Sequence, residues 1–297
     1  MIKLRDIEYL VAVAEHGHFG RAAHACNVSQ PTLSNQLMKL EEQLGLTLFE
    51  RRRKGSLLTP AGIGLLEEAR RTLQAADNFE ATARNLRDPL AGDLHLGLIP
   101  TVAPYLLPHI MSPINEQLPA LDIFLHEQQT ELLLQQLDSG DIDIAILALL
   151  PGMERFDHFE LAVEPLLMAV PSSHPLASRK RVKLADLDGE QVLALEDGHC
   201  LRDQALGYCF SAGASEDPRF RATSLETLRH MVAGGLGITL LPQLATLAPT
   251  PGLRYLPFYQ PAPNRDLVAL VRRGYPRLAA AREIVRITRE GIRGTVT

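Results

Sequence analysis

The side chains in this sequence best suited to covalent chemistry are three cysteines, Cys26, Cys200 and Cys209. Three thiols cannot form a structural disulfide framework. The opening Met-Ile-Lys-Leu-Arg-Asp lacks a secretory signal's apolar run, so the chain is expected in the cytoplasm. Cysteine chemistry there is redox sensing, metal binding or none. Cys200 stands between His199 and Arg202, where an apolar strand over 191–195 gives way to a helix over 201–212. A helix N-terminus favours a thiolate, but free cysteine is also a common small core residue. Cys209 lies nine positions on, flanked by Tyr208 and Phe210. Nine helical residues rise about 13 Å, whereas a disulfide needs Cα atoms within roughly 7 Å. The two sulfurs can bond only if the helix opens; otherwise Cys209 is plain core. His199, Cys200 and Cys209 also offer three metal ligands, without the paired Cys-x-x-Cys spacing of a structural zinc site. No metal or other cofactor is expected. Cys26, beside Ala22 and Ala23 on an apolar helix face, is expected to pack. Asp141 and Asp143, alternating with Ile142 and Ile144, read as a strand edge.

The elements that must position these groups follow from apolar spacing. Leu4, Ile7, Leu10, Val11 and Ala14 predict a helix ended by Gly17, and a short helix follows from about Phe19 to Cys26. Ser29 can cap a third helix with Pro31 in its first turn, carrying Leu33, Leu37, Leu40 and Leu44 inward. Its outward face holds Gln30, Thr32, Ser34, Asn35, Gln36 and Lys39. Two helices joined by a tight turn, the second with amides and hydroxyls outward, match a helix-turn-helix that reads DNA. Residues 46–58 read as a hairpin with the basic tip Arg51-Arg52-Arg53-Lys54, the wing of a winged helix. A helix over 60–87 repeats Leu65, Leu66, Ala69, Leu73, Ala76, Phe79, Ala83 and Leu86 near a 3.5-residue spacing, which calls for a partner helix. Asp88-Pro89-Leu90-Ala91-Gly92 is a hinge. Strands at 94–99, 121–125, 142–147, 166–170 and 191–195 then alternate with helices near 104–117, 130–138, 201–212, 224–234 and 276–292. This is an α/β pattern with a mainly parallel sheet, whose ligands sit beyond the carboxyl ends of strands. With 46% hydrophobic and 22% charged residues, the composition excludes a disordered chain, and no apolar stretch approaches the ~20 residues of a membrane helix. The net charge of −5 has the wrong sign for a DNA binder until it is divided. Residues 1–60 carry eight basic against six acidic side chains, and the remainder 22 against 29.

Phe19-Gly20-Arg21-Ala22-Ala23, Val28-Ser29-Gln30-Pro31-Thr32-Leu33-Ser34 and Leu40-Glu41-Glu42-Gln43-Leu44-Gly45 closely resemble the LysR-type transcriptional regulators. Leu48-Phe49-Glu50-Arg51 and Leu58-Thr59-Pro60-Ala61-Gly62 continue the match. The remainder resembles that family's hydrogen-peroxide sensors, through Gly97-Leu98-Ile99-Pro100-Thr101-Val102, Gln136-Leu137-Asp138-Ser139-Gly140 and Leu195-Glu196-Asp197-Gly198-His199-Cys200-Leu201-Arg202-Asp203-Gln204-Ala205. Arg221–Arg229 and Gly237–Pro242 extend it. The likeness thins at 151–165, 246–263 and the last twenty residues.

The resemblance implies a winged helix-turn-helix over 1–59, a linker and dimerisation helix with its hinge over 60–90, and a redox-sensing regulatory domain over 91–297. That domain would comprise two Rossmann-like subdomains resembling periplasmic binding proteins, I from about 91–164 and 268–297 and II from about 165–267. By position Cys200 would be the peroxidatic and Cys209 the resolving cysteine of a reversible disulfide switch. Thr101, Thr130, His199 and Arg272 would surround the peroxide. Gln30, Pro31, Thr32, Ser34 and Asn35 would meet DNA bases while Arg51 and Arg52 hold phosphates. The implied partners are promoter DNA, further copies of the chain in a homodimer or homotetramer, RNA polymerase, and a glutaredoxin or thioredoxin reductant. No membrane contact and no enzymatic turnover are expected. The competing functions are a regulator that binds a small organic acid and a thiol peroxidase; a DNA-reading helix argues against the latter.

Overall fold

The computed structural model describes residues 2–52, 55–85 and 88–296. The chain divides into two compact units, residues 1–86 and 87–297.

In the first unit, helices α1 (Leu4–His16), α2 (Phe19–Ala25) and α3 (Gln30–Leu44) fall where the apolar spacing places them. Asn27 takes a positive φ of 55° in the turn between α2 and α3, a conformation asparagine tolerates better than most residues. The Thr32 N–H donates to Ser29 Oγ at 3.3 Å, capping α3. Leu33, Leu37 and Leu40 bury against Tyr9, Leu10, Val13, Ala22 and Ala23. Strands β1 (Phe49–Arg52) and β2 (Gly55–Leu58) pair antiparallel as the wing. The Glu41 carboxylate ties them to α3 by accepting the Leu48 and Phe49 N–H groups at 2.7 and 3.2 Å. The Thr59 hydroxyl donates to the Thr47 carbonyl at 2.6 Å and accepts the Gly62 N–H at 3.0 Å, which starts α4 (Pro60–Asn85). Gly62 is required there, because a Cβ would lie 2.3 Å from the Leu48 carbonyl oxygen. Leu65, Leu66, Ala69 and Leu73 pack on the core of their own unit, whereas Phe79 is 77% exposed.

The second unit runs β3 (Gly92–Leu98), α5 (Ala103–Gln117), β4 (Leu121–Glu127), α6 (Thr130–Ser139), β5 (Ile144–Ala148), β6 (Phe156–Pro171), β7 (Gln191–Leu195), α7 (Cys200–Ser211), β8 (Ser215–Ala222), α8 (Leu225–Ala233), β9 (Thr239–Pro242), β10 (Leu253–Leu256), β11 (Asn264–Arg272) and α9 (Leu278–Val296). One sheet has the order β10-β6-β11-β5-β3-β4, with β9 also on β6. The pairs β3–β4, β3–β5 and β7–β8 are parallel, but β6 pairs antiparallel with β9, β10 and β11, and β11 with β5. The expectation of a mainly parallel sheet is therefore corrected. The 16 residues of β6, at about 3.3 Å each, are long enough to traverse two lobes. β6 carries the chain from one lobe to the other and β11 brings it back, so the two run antiparallel. Two separate apolar cores result. That of lobe I draws mainly on residues 94–161 and 267–292, that of lobe II on 166–258. Among the described residues no helix is long and apolar enough to cross a membrane.

Candidate functional site

Cys200 is the first residue of α7, and Cys26, Cys200 and Cys209 are free thiols. The Cys200 position is the N-terminal end of the helix, where the first N–H groups have no intrahelical partner. Although α7 packs Leu201, Ala205, Leu206 and Cys209 into the core of lobe II, Cys200 is buried in the core of lobe I. The two thiols thus occupy opposite ends of one continuous helix and two different cores. Gly207 lies between them, and a glycine weakens a helix by about 1 kcal/mol relative to alanine. Among the described residues no three His, Cys, Asp or Glu side chains group as metal ligands, so His199, Cys200 and Cys209 do not form such a set.

The loop that leads into Cys200 meets the residues just before α6. Gly198 adopts a φ of +93°, and a Cβ on it would lie 2.5 Å from Gln129 Oε1. Only glycine lets the loop before Cys200 rest on Gln129, which immediately precedes α6 and its first residue, Thr130. The Thr130 Oγ1 atom is buried with no hydrogen-bond partner among the described residues, so its hydroxyl is left to donate. Thr101 follows the neighbouring strand β3. Arg265 Nη1 donates to Thr101 Oγ1 at 2.9 Å and Nη2 to the Thr101 carbonyl at 3.1 Å. With Oγ1 accepting from the guanidinium, the Thr101 hydroxyl hydrogen is left to donate elsewhere. Arg265 also pairs with Glu164 at 2.7 Å, both side chains fully buried, and Glu164 accepts the Leu244 N–H at 2.8 Å. His199 is buried, and that burial holds its imidazole below the ordinary value of 6.5 against the opposing pull of Glu196 and of a hydrogen bond with the Thr223 backbone. At neutral pH it is therefore a hydrogen-bonding ring without charge. Arg202 is committed to Asp197 at 2.9 Å and Glu216 at 3.1 Å.

Arg272 binds the far end of α6, away from its Thr130 end, which corrects its expected role. It lies seven residues along β11 from Arg265, about 23 Å in an extended strand. There it donates to the Leu137 and Ile142 carbonyls at 3.2 and 2.5 Å and faces Asp143 at 3.7 Å. Arg265, paired with Glu164, is the arginine that holds Thr101, and sequence reasoning missed both. Their signal was a charged residue inside an apolar strand pattern, Ala162-Val163-Glu164-Pro165-Leu166 and Arg265-Asp266-Leu267-Val268.

Comparison with known proteins accounts for both units. Residues 4–63 match the model of the lysR-family bacterial regulatory helix-turn-helix proteins, and residues 87–293 that of the LysR substrate binding domain. The chain belongs to the LysR family. It is 52% identical over 277 residues to the DNA-binding transcriptional dual regulator OxyR of Escherichia coli K12, covering 93% of this chain and 91% of that one. Full-length OxyR from Pseudomonas aeruginosa superposes with a TM-score of 0.80 at 34% identity, over 97% of this chain and 95% of that one. The oxidized form of OxyR gives a TM-score of 0.64 at 50% identity, over 70% of this chain and 99% of that one.

In this LysR-family regulator the predicted base-reading residues share the start of α3. Gln30, Pro31, Thr32 and Asn35 are exposed there and Ser34 is half-buried. The side chains of Arg51 and Arg52, and Arg53 and Lys54 entire, lie outside the described residues.

The state of Cys209 makes a pH prediction. Burial pushes its thiol from 9.0 up to about 12, so the folded helix favours the protonated form. That preference is fully present below pH 9 and declines by about 1.4 kcal/mol per unit as pH rises towards 12. Iodoacetamide should leave Cys209 unlabelled at pH 8 and label it increasingly above pH 9, read by peptide mass spectrometry. Labelling at pH 8 as fast as in denaturant would show that the helix does not protect it.

Proposed function

We propose that this regulator senses hydrogen peroxide by oxidation of Cys200, forms a reversible Cys200–Cys209 disulfide, and thereby controls transcription of oxidative-stress genes. The observation that carries this reading is a thiol at a helix N-terminus, entered by a loop that rests on Gln129 immediately before the buried Thr130 hydroxyl, with its partner thiol towards the far end of the same helix. The Cys200 thiolate attacks one peroxide oxygen, the O–O bond breaks, and the sulfur becomes a sulfenic acid. Thr101 and Thr130 donate to the peroxide oxygens, and the departing hydroxide takes a proton to leave as water. The Cys209 sulfur then displaces the sulfenic hydroxyl, its proton leaves with that hydroxyl as a second water, and the disulfide forms. A thiol reductant of the glutaredoxin or thioredoxin kind returns both thiols.

Thr101, Thr130 and neutral His199 provide donors around the peroxide, while Arg265, fixed by Glu164, holds Thr101 in place. Gln30, Pro31, Thr32, Ser34 and Asn35 read promoter DNA, with Arg51 and Arg52 on phosphates. The chain acts as a dimer or tetramer that works with RNA polymerase in the cytoplasm.

Thr130→Val removes the orphaned hydroxyl without changing shape. Loss of a hydrogen bond to a developing charge, worth about 1.5–3 kcal/mol, slows oxidation of Cys200 roughly 10- to 100-fold while stability holds or rises. Stopped-flow thiol oxidation measures it, and an unchanged rate would remove Thr130 from the site. The whole reading is tested by counting free thiols after a stoichiometric peroxide pulse, by non-reducing mass spectrometry beside gel shifts. It expects a 200–209 cross-link and altered operator binding. Three free thiols instead of the single remaining Cys26, or identical binding in both states, would overturn it.

A further inference from the structure

Lobe II carries a basic cluster that the cysteine site does not use. Ser178-Arg179-Lys180-Arg181-Val182-Lys183 holds four cations in six residues, within a part of the chain whose acidic residues exceed its basic ones. This segment and the edge strand β10 flank a cleft of about 590 Å³, within the ~300–1,000 Å³ range of small-molecule sites. Lys180 and Arg254 line it, are exposed and have no carboxylate partner among the described residues, while Arg179 shares its charge with Asp186 at 2.8 Å. No Asp or Glu lines the cleft. Two uncompensated cations facing one concavity repel each other unless an anion joins them.

The neutral lining adds direction. Arg229, buried behind the cleft, donates to Thr250 Oγ1, and the Tyr255 hydroxyl donates to the same atom at 3.1 Å. Thr250 Oγ1 therefore accepts twice, which leaves its own hydrogen for a further acceptor. Leu247 and Pro249 supply apolar wall. We propose that this cleft binds a phosphate monoester: two negative charges meet Lys180 and Arg254, a phosphate oxygen takes the Thr250 hydrogen, and the organic portion lies against Tyr255 and Leu247.

The test titrates the full chain, in sulfate-free buffer, with adenosine 5′-monophosphate, inorganic phosphate and adenosine by calorimetry. The nucleotide should saturate one site per chain, phosphate should compete with it, and adenosine should not bind. Lys180→Ala with Arg254→Ala should weaken the nucleotide at least tenfold, leaving the melting temperature of the ligand-free chain and the affinity for operator DNA unchanged. Absence of saturable nucleotide binding, binding that survives the double substitution, or adenosine binding as tightly as its monophosphate would each overturn the proposal. Loss of operator affinity in the double variant, without loss of nucleotide binding, would make the patch a DNA contact and overturn it equally.

Discussion

Cys200→Ser abolishes the peroxide response: operator binding and transcription are the same before and after peroxide, and no cross-linked peptide forms. A serine hydroxyl is not ionised at neutral pH and offers no sulfur to oxidise, so the first bond is never made. Because Cys200 is buried in the core of lobe I, the new hydroxyl needs a hydrogen-bond partner there, at a cost of about 1–3 kcal/mol if none is found. Cys200→Ala separates lost chemistry from lost packing and should be equally silent to peroxide. Cys209→Ser has a different outcome. Its sulfenic acid forms at Cys200 but cannot be locked, so the response is weak or transient. A Cys200→Ser protein that still changed its operator binding with peroxide would place the sensor elsewhere.

Phe79→Glu converts the assembled regulator to monomers and reduces operator affinity by roughly three orders of magnitude. Phe79 is 77% exposed on α4, so the substitution leaves the core of its own unit untouched. A long helix with an apolar stripe finds its cheapest partner in a copy of itself, and Phe79 is free to meet one. Leu73→Glu would be the poorer experiment, because Leu73 packs against its own winged helix and its loss mixes unfolding with dissociation. Two readers joined at fixed spacing gain from binding two half-sites at once, and separated readers lose that gain. Light scattering and fluorescence anisotropy with operator DNA measure both effects. A Phe79→Glu chain that stayed a DNA-binding dimer would exclude this helix as the seam.

The legible parts of the sequence were those where periodicity and turn chemistry agree. Helices α1 and α3 followed from apolar spacing bounded by Gly17, Ser29 and Gly45, and α6 and the start of α7 were placed within one residue by the alternation of strands and helices. Strands β8 to β11 were not read, because burial alternates poorly along Ser215-Glu216-Asp217-Pro218-Arg219 and two of the strands are only four residues long. The traverse of β6 was also missed, since one strand serving two cores changes its buried face part-way and loses a single period. At the site, the cysteines and threonines could be read by position along the chain, whereas Arg265 could not. Its role depends on the register that sets it opposite Glu164 across two strands far apart in sequence, and the likeness to known sensors pointed to the wrong end of β11.

One thiol of α7 is held by each of two cores, and this gives the switch a memory. On the proposed mechanism, oxidation must free a thiol from its core and unwind the helix before the bond can close, and the helix cannot re-form until the bond is cut. Neither direction can therefore proceed in small reversible steps, and a brief burst of peroxide leaves a record that outlasts the peroxide itself. The duration of that record is set by the supply of reductant, and the ease of writing it by how readily the turns around Gly207 let go.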